Sequence, residues 1–270
     1  MTASGPSRPR RIAFFGGIYS NAPALLQAIA DARRRGAEAI YCLGDLGGFG
    51  PHPERIPPIL RQNGIEVVQG NYEDSVGHDR EDCRCGYTDP RDNRFAQIAY
   101  EYTRARTPPE VKAWYRELPK SLRLTMGGRR LLLCHGSPRR QNEFLWESTS
   151  PVSFLEALLR EHQADVLLCT HTGLHWTRRL PSGGQVINVG VLGRPANDGR
   201  TNVWYALLAT AETDAPLRVE FVPVAYDHEG LAADMRAEKL PEEFVTTILT
   251  GWWTTCLEIL PARERQRGRF

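Results

Sequence analysis

Short apolar runs alternate with amphipathic stretches along most of the chain. RIAFF (11–15) predicts a strand, and residues 22–35 follow with Leu25, Leu26, Ile29 and Ala30 at helical spacing. AIYCL (39–43) predicts a second strand, 54–62 a helix, and IEVVQ (65–69) a third strand. Strands and helices in this alternation argue for parallel α/β units. Helical spacing returns over about 94–105 and 108–117. RRLLLC (129–134) and ADVLLC (164–169) predict buried strands, and Ser150-Pro151 predicts the start of the helix between them, with proline at its first position. From 174 onward strands dominate, in HWTRRL, QVINVG, VWYALLA and LRVEFVPV, with turn signals such as PSGG (181–184) between them. Two helices are expected near 229–237 and 241–250. The predicted fold class is α/β.

One segment breaks the rhythm. Residues 73–93, EDSVGHDREDCRCGYTDPRDN, are polar and rich in Asp, Gly and Arg, and predict a long loop. Loops of this length in compact domains are often functional. No internal repeat or linker composition is present. The expected organisation is a tail over 1–10, a single domain over 11–260 carrying the excursion at 73–93, and a charged tail over 261–270.

Each buried strand ends in polar residues. The second leads into Gly44-Asp45, the third into GNYE (70–73), and later ones into CHGSP (134–138) and CTHTGLH (169–175). In open α/β sheets ligands bind beyond the carboxyl ends of the strands. Asp45, Asn71, His135 and His171 are therefore expected to converge. A carboxylate, an amide oxygen and two imidazoles suit one divalent transition metal, and such a mixed set accepts Mn, Fe, Zn or Ni. Taken singly, each residue has a plain structural role as loop cap, turn residue or core histidine; their shared position makes that role for all of them the weaker reading.

Composition narrows the classes. The chain has 270 residues, is 41% hydrophobic and 24% charged, and carries a net charge of +2. Near-neutrality gives no specific nucleic-acid signal. No apolar run approaches the roughly 18 residues of a bilayer-spanning helix, and MTASGPSRPRR lacks a signal-peptide core. No membrane association and a cytoplasmic location are expected. Cys42, Cys134 and Cys169 sit in apolar runs and read as reduced core residues.

The sequence resembles the calcineurin-like metallophosphoesterases, in particular their small bacterial phosphodiesterase and phosphatase branch. The resemblance rests on GDLGGFGPHP (44–53), GNYE (70–73), CHGSP (134–138), THTG (170–173) and NVGVLGRP (188–195), and runs from about 11 to about 250. It implies a two-layered β-sandwich flanked by helices. It also implies a two-metal site that hydrolyses small phosphorylated substrates, with a metal-bridging hydroxide as nucleophile. The surviving half of that site corresponds to Asp45, Asn71, His135 and His171.

The other half departs from the pattern. Where the family has Asp-x-His, this chain has Gly17-Ile18-Tyr19, and where it has Gly-His-x-His, this chain has Thr170-His171-Thr172-Gly173. All three losses fall on one metal of the pair, so a single-metal centre is expected. Losing the second cation costs several kcal/mol of charge stabilisation unless another group replaces it. Arg139 and Arg140 beyond HGSP are candidate replacements, and Tyr72 is a candidate proton donor because a phenol suits donation better than base work. Three readings stand: a single-metal phosphoesterase or other hydrolase, a fold turned to other metal chemistry through Tyr19 or the Cys83/Cys85 pair, and a catalytically inactive binding or regulatory protein. Cys83-x-Cys85 is open to a soft metal, a redox role, a thiophilic substrate or local packing, and for the metal site a small phosphorylated or other metal-coordinating substrate is expected. His175 could substitute for the lost histidine or lie packed beside Trp176; His52 and His78 are weaker candidates near the mouth.

Overall fold

The structure is a computed structural model that describes residues 10–210 and 217–266. Two five-stranded sheets stack face to face. In the first, β1 (Arg10–Phe15) pairs in parallel with β2 (Ala39–Cys42), and β2 with β3 (Glu66–Val67). Antiparallel β9 (Val203–Thr210) and β10 (Arg218–Val224) extend the other side of β1. The second sheet has β4 (Ser121–Met126), β5 (Arg129–Cys134), β6 (Val166–Cys169), β8 (Gln185–Val189) and β7 (His175–Arg179) in that spatial order. β5, β6 and β8 are parallel to one another.

Alternation along each strand builds the layers. Ile12 and Phe14 of β1 meet Leu131, Leu133, Leu168 and Ile187 of the second sheet. Ala13 and Phe15 point outward to Leu25 and Ile29 of α1 (Ala22–Arg34). On the far side, Leu132 and Leu167 pack against Leu155 and Leu158 of α6 (Val152–Glu161). Burial on both faces is why these strands read as unbroken apolar runs. α2 (Ile56–Gln62) links β2 to β3, α3 (Asn71–Gly77), α4 (Pro90–Arg106) and α5 (Pro109–Glu117) lead from the first sheet to the second, and α7 (His228–Ala237), α8 (Glu242–Thr250) and α9 (Ala262–Arg265) follow β10. No helix of the described residues is long and apolar enough to cross a membrane.

Three local differences from the sequence-based expectations have physical causes. The expected 73–93 loop is helical at both ends: α3 ends at Gly77, and α4 starts at Pro90, where the Asp89 side chain accepts a hydrogen bond from the Asp92 amide at 3.0 Å. α6 starts one residue later than expected, with Pro151 as its N-cap. β4 pairs antiparallel with β5 and was signalled by the alternation of Leu122, Leu124 and Met126. Of the expected tails, residues 1–9 and 267–270 lie outside the described residues, Arg10 begins β1, and 262–265 form α9.

Candidate metal centre

The site forms where β1, β2, β3, β5 and β6 end. Asp45 follows β2, His135 follows β5, His171 follows β6, and Asn71 opens α3 just past β3. One ligand atom from each of Asp45, His135 and His171 lies within 4.8 Å of the others, and all three residues are buried. His135 Nε2 is 3.2 Å from Asp45 Oδ2 and 3.1 Å from His171 Nδ1. His135 Nδ1 is 2.6 Å from the Leu43 carbonyl, which fixes the proton on Nδ1 and turns Nε2 to the cluster. Asn71 Nδ2 donates to the Cys83 carbonyl at 2.9 Å, while Asn71 Oδ1 and His171 Nε2 are buried without a hydrogen-bond partner. An unpaired amide oxygen and an unpaired imidazole nitrogen in such a cluster are what a cation site presents.

The electrostatics match the geometry. Burial works against the Asp45 charge, but His135 beside it, His171 and the Tyr72 amide hold its pKa below the usual carboxylate value. Burial likewise opposes charge on His135, and Asp45 outweighs it, so the imidazole pKa is raised. Burial, with His135 next to it, pushes His171 down to about 3, which keeps it neutral with one ring nitrogen able to coordinate.

The backbone at the site is strained. Asp45 and His171 both have left-handed φ, +56° and +65°, a conformation that costs a non-glycine residue roughly 1–3 kcal/mol. The surroundings impose it. Glu73, fully buried, accepts hydrogen bonds from the amides of Asp45 (2.9 Å), Leu46 (2.8 Å) and Gly70 (2.8 Å). Its burial and the nearby Asp45 raise its pKa to about 7. The His171 loop is tied by Asn188, whose Nδ2 donates to the Thr170 carbonyl at 2.8 Å and to Thr172 Oγ1 at 2.9 Å. Both positioning roles lay in quoted motifs: Glu73 stands three residues after the N-cap Gly70, the capping-box spacing.

The first loop supplies packing where a metal half-site was sought. The Tyr19 ring lies between the backbones of Gly17 and Gly193: a Cβ on Gly17 would stand 2.5 Å from Tyr19 Cε1, and one on Gly193 would overlap the ring. A Cβ on Gly173 would stand 2.8 Å from the Trp253 ring and 3.2 Å from Arg194 Nη2. Burial pushes the Tyr19 phenol far above its ordinary pKa, so the hydroxyl keeps its proton.

The remaining candidates fall in different places. Tyr72 lines the same cleft as Asp45, Tyr19 and His171. Burial and the adjacent Asp45 hold its hydroxyl protonated. Arg139 lies over the Phe154 ring at 5.2 Å and beside Glu143 at 3.4 Å, half-exposed. His175 stacks against Trp204 and Phe221 at the sheet's edge. Cys83 and Cys85 are joined as a disulfide, and the Cys85 sulfur is 3.6 Å from Asn71 Nδ2. Sulfurs so joined are not thiolate ligands. Cys85 and Tyr87 bring the excursion to the cleft. His78 sits at the exposed end of α3 against Asp74, and His52 beside Glu54. The cation that faces the cleft is Arg194, which sequence reasoning did not single out.

Two stacked mixed sheets whose strand-end loops gather an Asp/His/His group define a metallophosphoesterase-like α/β sandwich. The chain belongs to the calcineurin-like phosphoesterase superfamily, whose domain profile matches residues 11–213. It is similar to the uncharacterized protein MJ0912 of Methanocaldococcus jannaschii, 24% identical over 246 residues that span 86% of this chain and 94% of that protein. The crystal structure of hypothetical protein PH1004 from Pyrococcus horikoshii OT3 superposes with a TM-score of 0.74 at 24% identity, over 90% of this chain and 99% of that one. A metallophosphoesterase from Sphaerobacter thermophilus superposes with a TM-score of 0.65 at 25% identity, over 90% of this chain and all of that one, 100%. The family and the Asp/His/His group together support a phosphoesterase-like, metal-dependent function for a small phosphoester substrate.

Proposed function

We propose that this protein is a phosphoester hydrolase built on a single divalent transition metal held by Asp45, Asn71, His135 and His171. The observation that carries the reading is the convergence of Asp45 Oδ2, His135 Nε2 and His171 Nδ1, with the Asn71 amide oxygen left unpaired beside them. The donor set fits an ion: His135 presents a lone pair because its other nitrogen donates to Leu43, and His171 stays neutral. The site is proposed to be single because the Tyr19 ring fills the space beside Gly17 and Trp253 the space beside Gly173. Such an ion polarises a phosphoryl oxygen and makes a water more acidic.

The chain's own groups take the other roles. Asp45 and Asn71 orient the ion from loops locked by Glu73 and by the turn into α3. Tyr72 keeps its proton and is proposed to donate it toward the leaving-group oxygen. The aromatic walls of the cleft, Tyr19, Phe49 and Tyr87 among them, exclude water.

Metal content after purification without chelator tests the reading. About one equivalent of a single ion per chain is expected, lost in His135→Ala. Two equivalents would overturn the single-metal site, and none, even after metal addition, would overturn the metal centre. Tyr72→Phe should lower kcat on an aryl phosphate while metal content stays unchanged.

A further inference from the structure

We propose that Arg194 is the phosphate-binding cation of this cleft, and that the ligand it takes is a phosphomonoester dianion. The inference deepens the metal-centre reading and rests on it for the identity of the substrate as a phosphoester. Arg194 is 6% exposed, lies between β8 and β9, and lines the same cleft as Asp45 and His171. Among the described residues no carboxylate lies within ion-pair distance of it, and its Nε has no hydrogen-bond partner. Its surroundings are aromatic: the guanidinium carbon lies 3.5 Å from the Trp253 ring centre, 5.8 Å from Tyr19 and 5.9 Å from Phe49. The Cys256 thiol is a hydrogen-bonding neighbour, and the Tyr19 and Tyr87 hydroxyls are close to it. Aromatic faces stabilise a cation without using up its N–H donors.

A buried guanidinium with no counter-ion is expensive to maintain. The expense is explained if an anion supplies the missing partner. Its position argues which anion. The guanidinium stands against Gly173, where a Cβ would come within 3.2 Å of its Nη2, so with Trp253 it takes the space that a side chain there would need. One fixed cation therefore flanks the Asp45–His135–His171 group, with Tyr19 packed beside it. The guanidinium fork matches two oxygens of a phosphoryl group. Two positive groups match the two charges of a monoester better than the one charge of a diester. The cleft keeps a cavity of about 50 Å³ open against the residues that carry Arg194, Asp45 and His171.

Trp253 fixes the guanidinium from the C-terminal side. Its amide donates to Asn197 Oδ1 at 2.9 Å and its indole N–H to the Pro195 carbonyl at 2.7 Å. The ring is thereby clamped to the loop that carries Arg194, which pre-organises the cation before any anion arrives.

Calorimetric titration with inorganic phosphate tests the proposal on the purified full chain, as isolated and after chelator treatment, with metal content measured in parallel. Wild type should bind phosphate. Arg194→Met should weaken that binding roughly tenfold or more, with metal content unchanged and a Tm for the chelator-treated protein equal to or above wild type. Arg194→Lys should retain part of the affinity. Methyl phosphate should bind about as phosphate does, and dimethyl phosphate at least roughly tenfold more weakly. Phosphate affinity indifferent to both Arg194 variants overturns the proposal and leaves the metal centre standing, as does a Tm loss in Arg194→Met without an affinity change. Arg194-dependent phosphate binding by a protein that takes up no metal, even after metal addition, supports this inference and removes the metal reading. Equal binding of dimethyl phosphate overturns the monoester class.

Discussion

At the scale of single residues, two groups outside the Asp45–Asn71–His135–His171 set decide the site. Glu73 accepts the amides of Asp45, Leu46 and Gly70 and so dictates the left-handed turn at Asp45. Glu73→Ala leaves those three buried N–H groups unpaired. We expect it to cost roughly 3 kcal/mol of unfolding free energy, read by urea denaturation, together with a fall in metal affinity of roughly ten- to a hundredfold. Tyr19 is the second. Its ring occupies the space that a side chain at Gly17 would need. Gly17→Ala alone should cost roughly 1–3 kcal/mol by overpacking. In Tyr19→Ala the same change should cost much less, and a double-mutant cycle on unfolding free energies measures that coupling. Strict additivity would mean that the ring and the glycine are not fitted to each other.

At the scale of elements, the apolar runs announced β1, β2, β5, β6, β8 and β9 because those strands are wholly or largely buried, several of them on both faces. α3 was illegible for the opposite reason. It buries Asn71, Tyr72, Glu73, Ser75, Val76 and Gly77, so it has no polar face to alternate with an apolar one. Its helix signals are a glycine N-cap and Glu73, which sequence reading treats as a turn. The junction of β5 and β6 offers an element-level test. Asp165 accepts from the Arg130 amide at 2.8 Å and from its guanidinium at 3.1 Å and 2.9 Å. The hydrogen bond from Arg130 holds the Asp165 pKa below the usual carboxylate value. A depressed carboxylate stabilises above its unfolded pKa, near 4, and loses that contribution as pH falls through the folded value. Asp165→Asn should lower Tm at pH 7, and the gap to wild type should close below about pH 4. A gap constant with pH would mean the ion pair contributes nothing.

At the scale of the whole molecule, the site is held by parts far apart in the chain. The loops after β1, β2 and β6, the excursion at Cys85 and Tyr87, Arg194, and the segment at Thr255 and Cys256 all meet at one cleft. Asp92 of α4 accepts from the Cys256 amide at 2.6 Å and ties that last segment down. A ligand that binds only this assembled state must stabilise it. At a free metal concentration about a hundredfold above Kd, unfolding free energy should rise by about 2.7 kcal/mol. Thermal unfolding with and without added metal measures it, and an unchanged Tm would mean no cation binds the folded chain.

The sequence by itself determined the layered α/β framework, because burial on both faces of a strand writes itself as an apolar run. It also determined that Asp45, Asn71, His135 and His171 stand at strand ends, because the runs end there. Only the tertiary structure decided what fills the first loop's empty half. Gly17, Tyr19, Gly173, Arg194 and Trp253 are distant in sequence, and no periodicity links them. Their relation is steric and electrostatic, a ring and a guanidinium occupying space that two glycines leave open. Such fits exist only once the chain is folded.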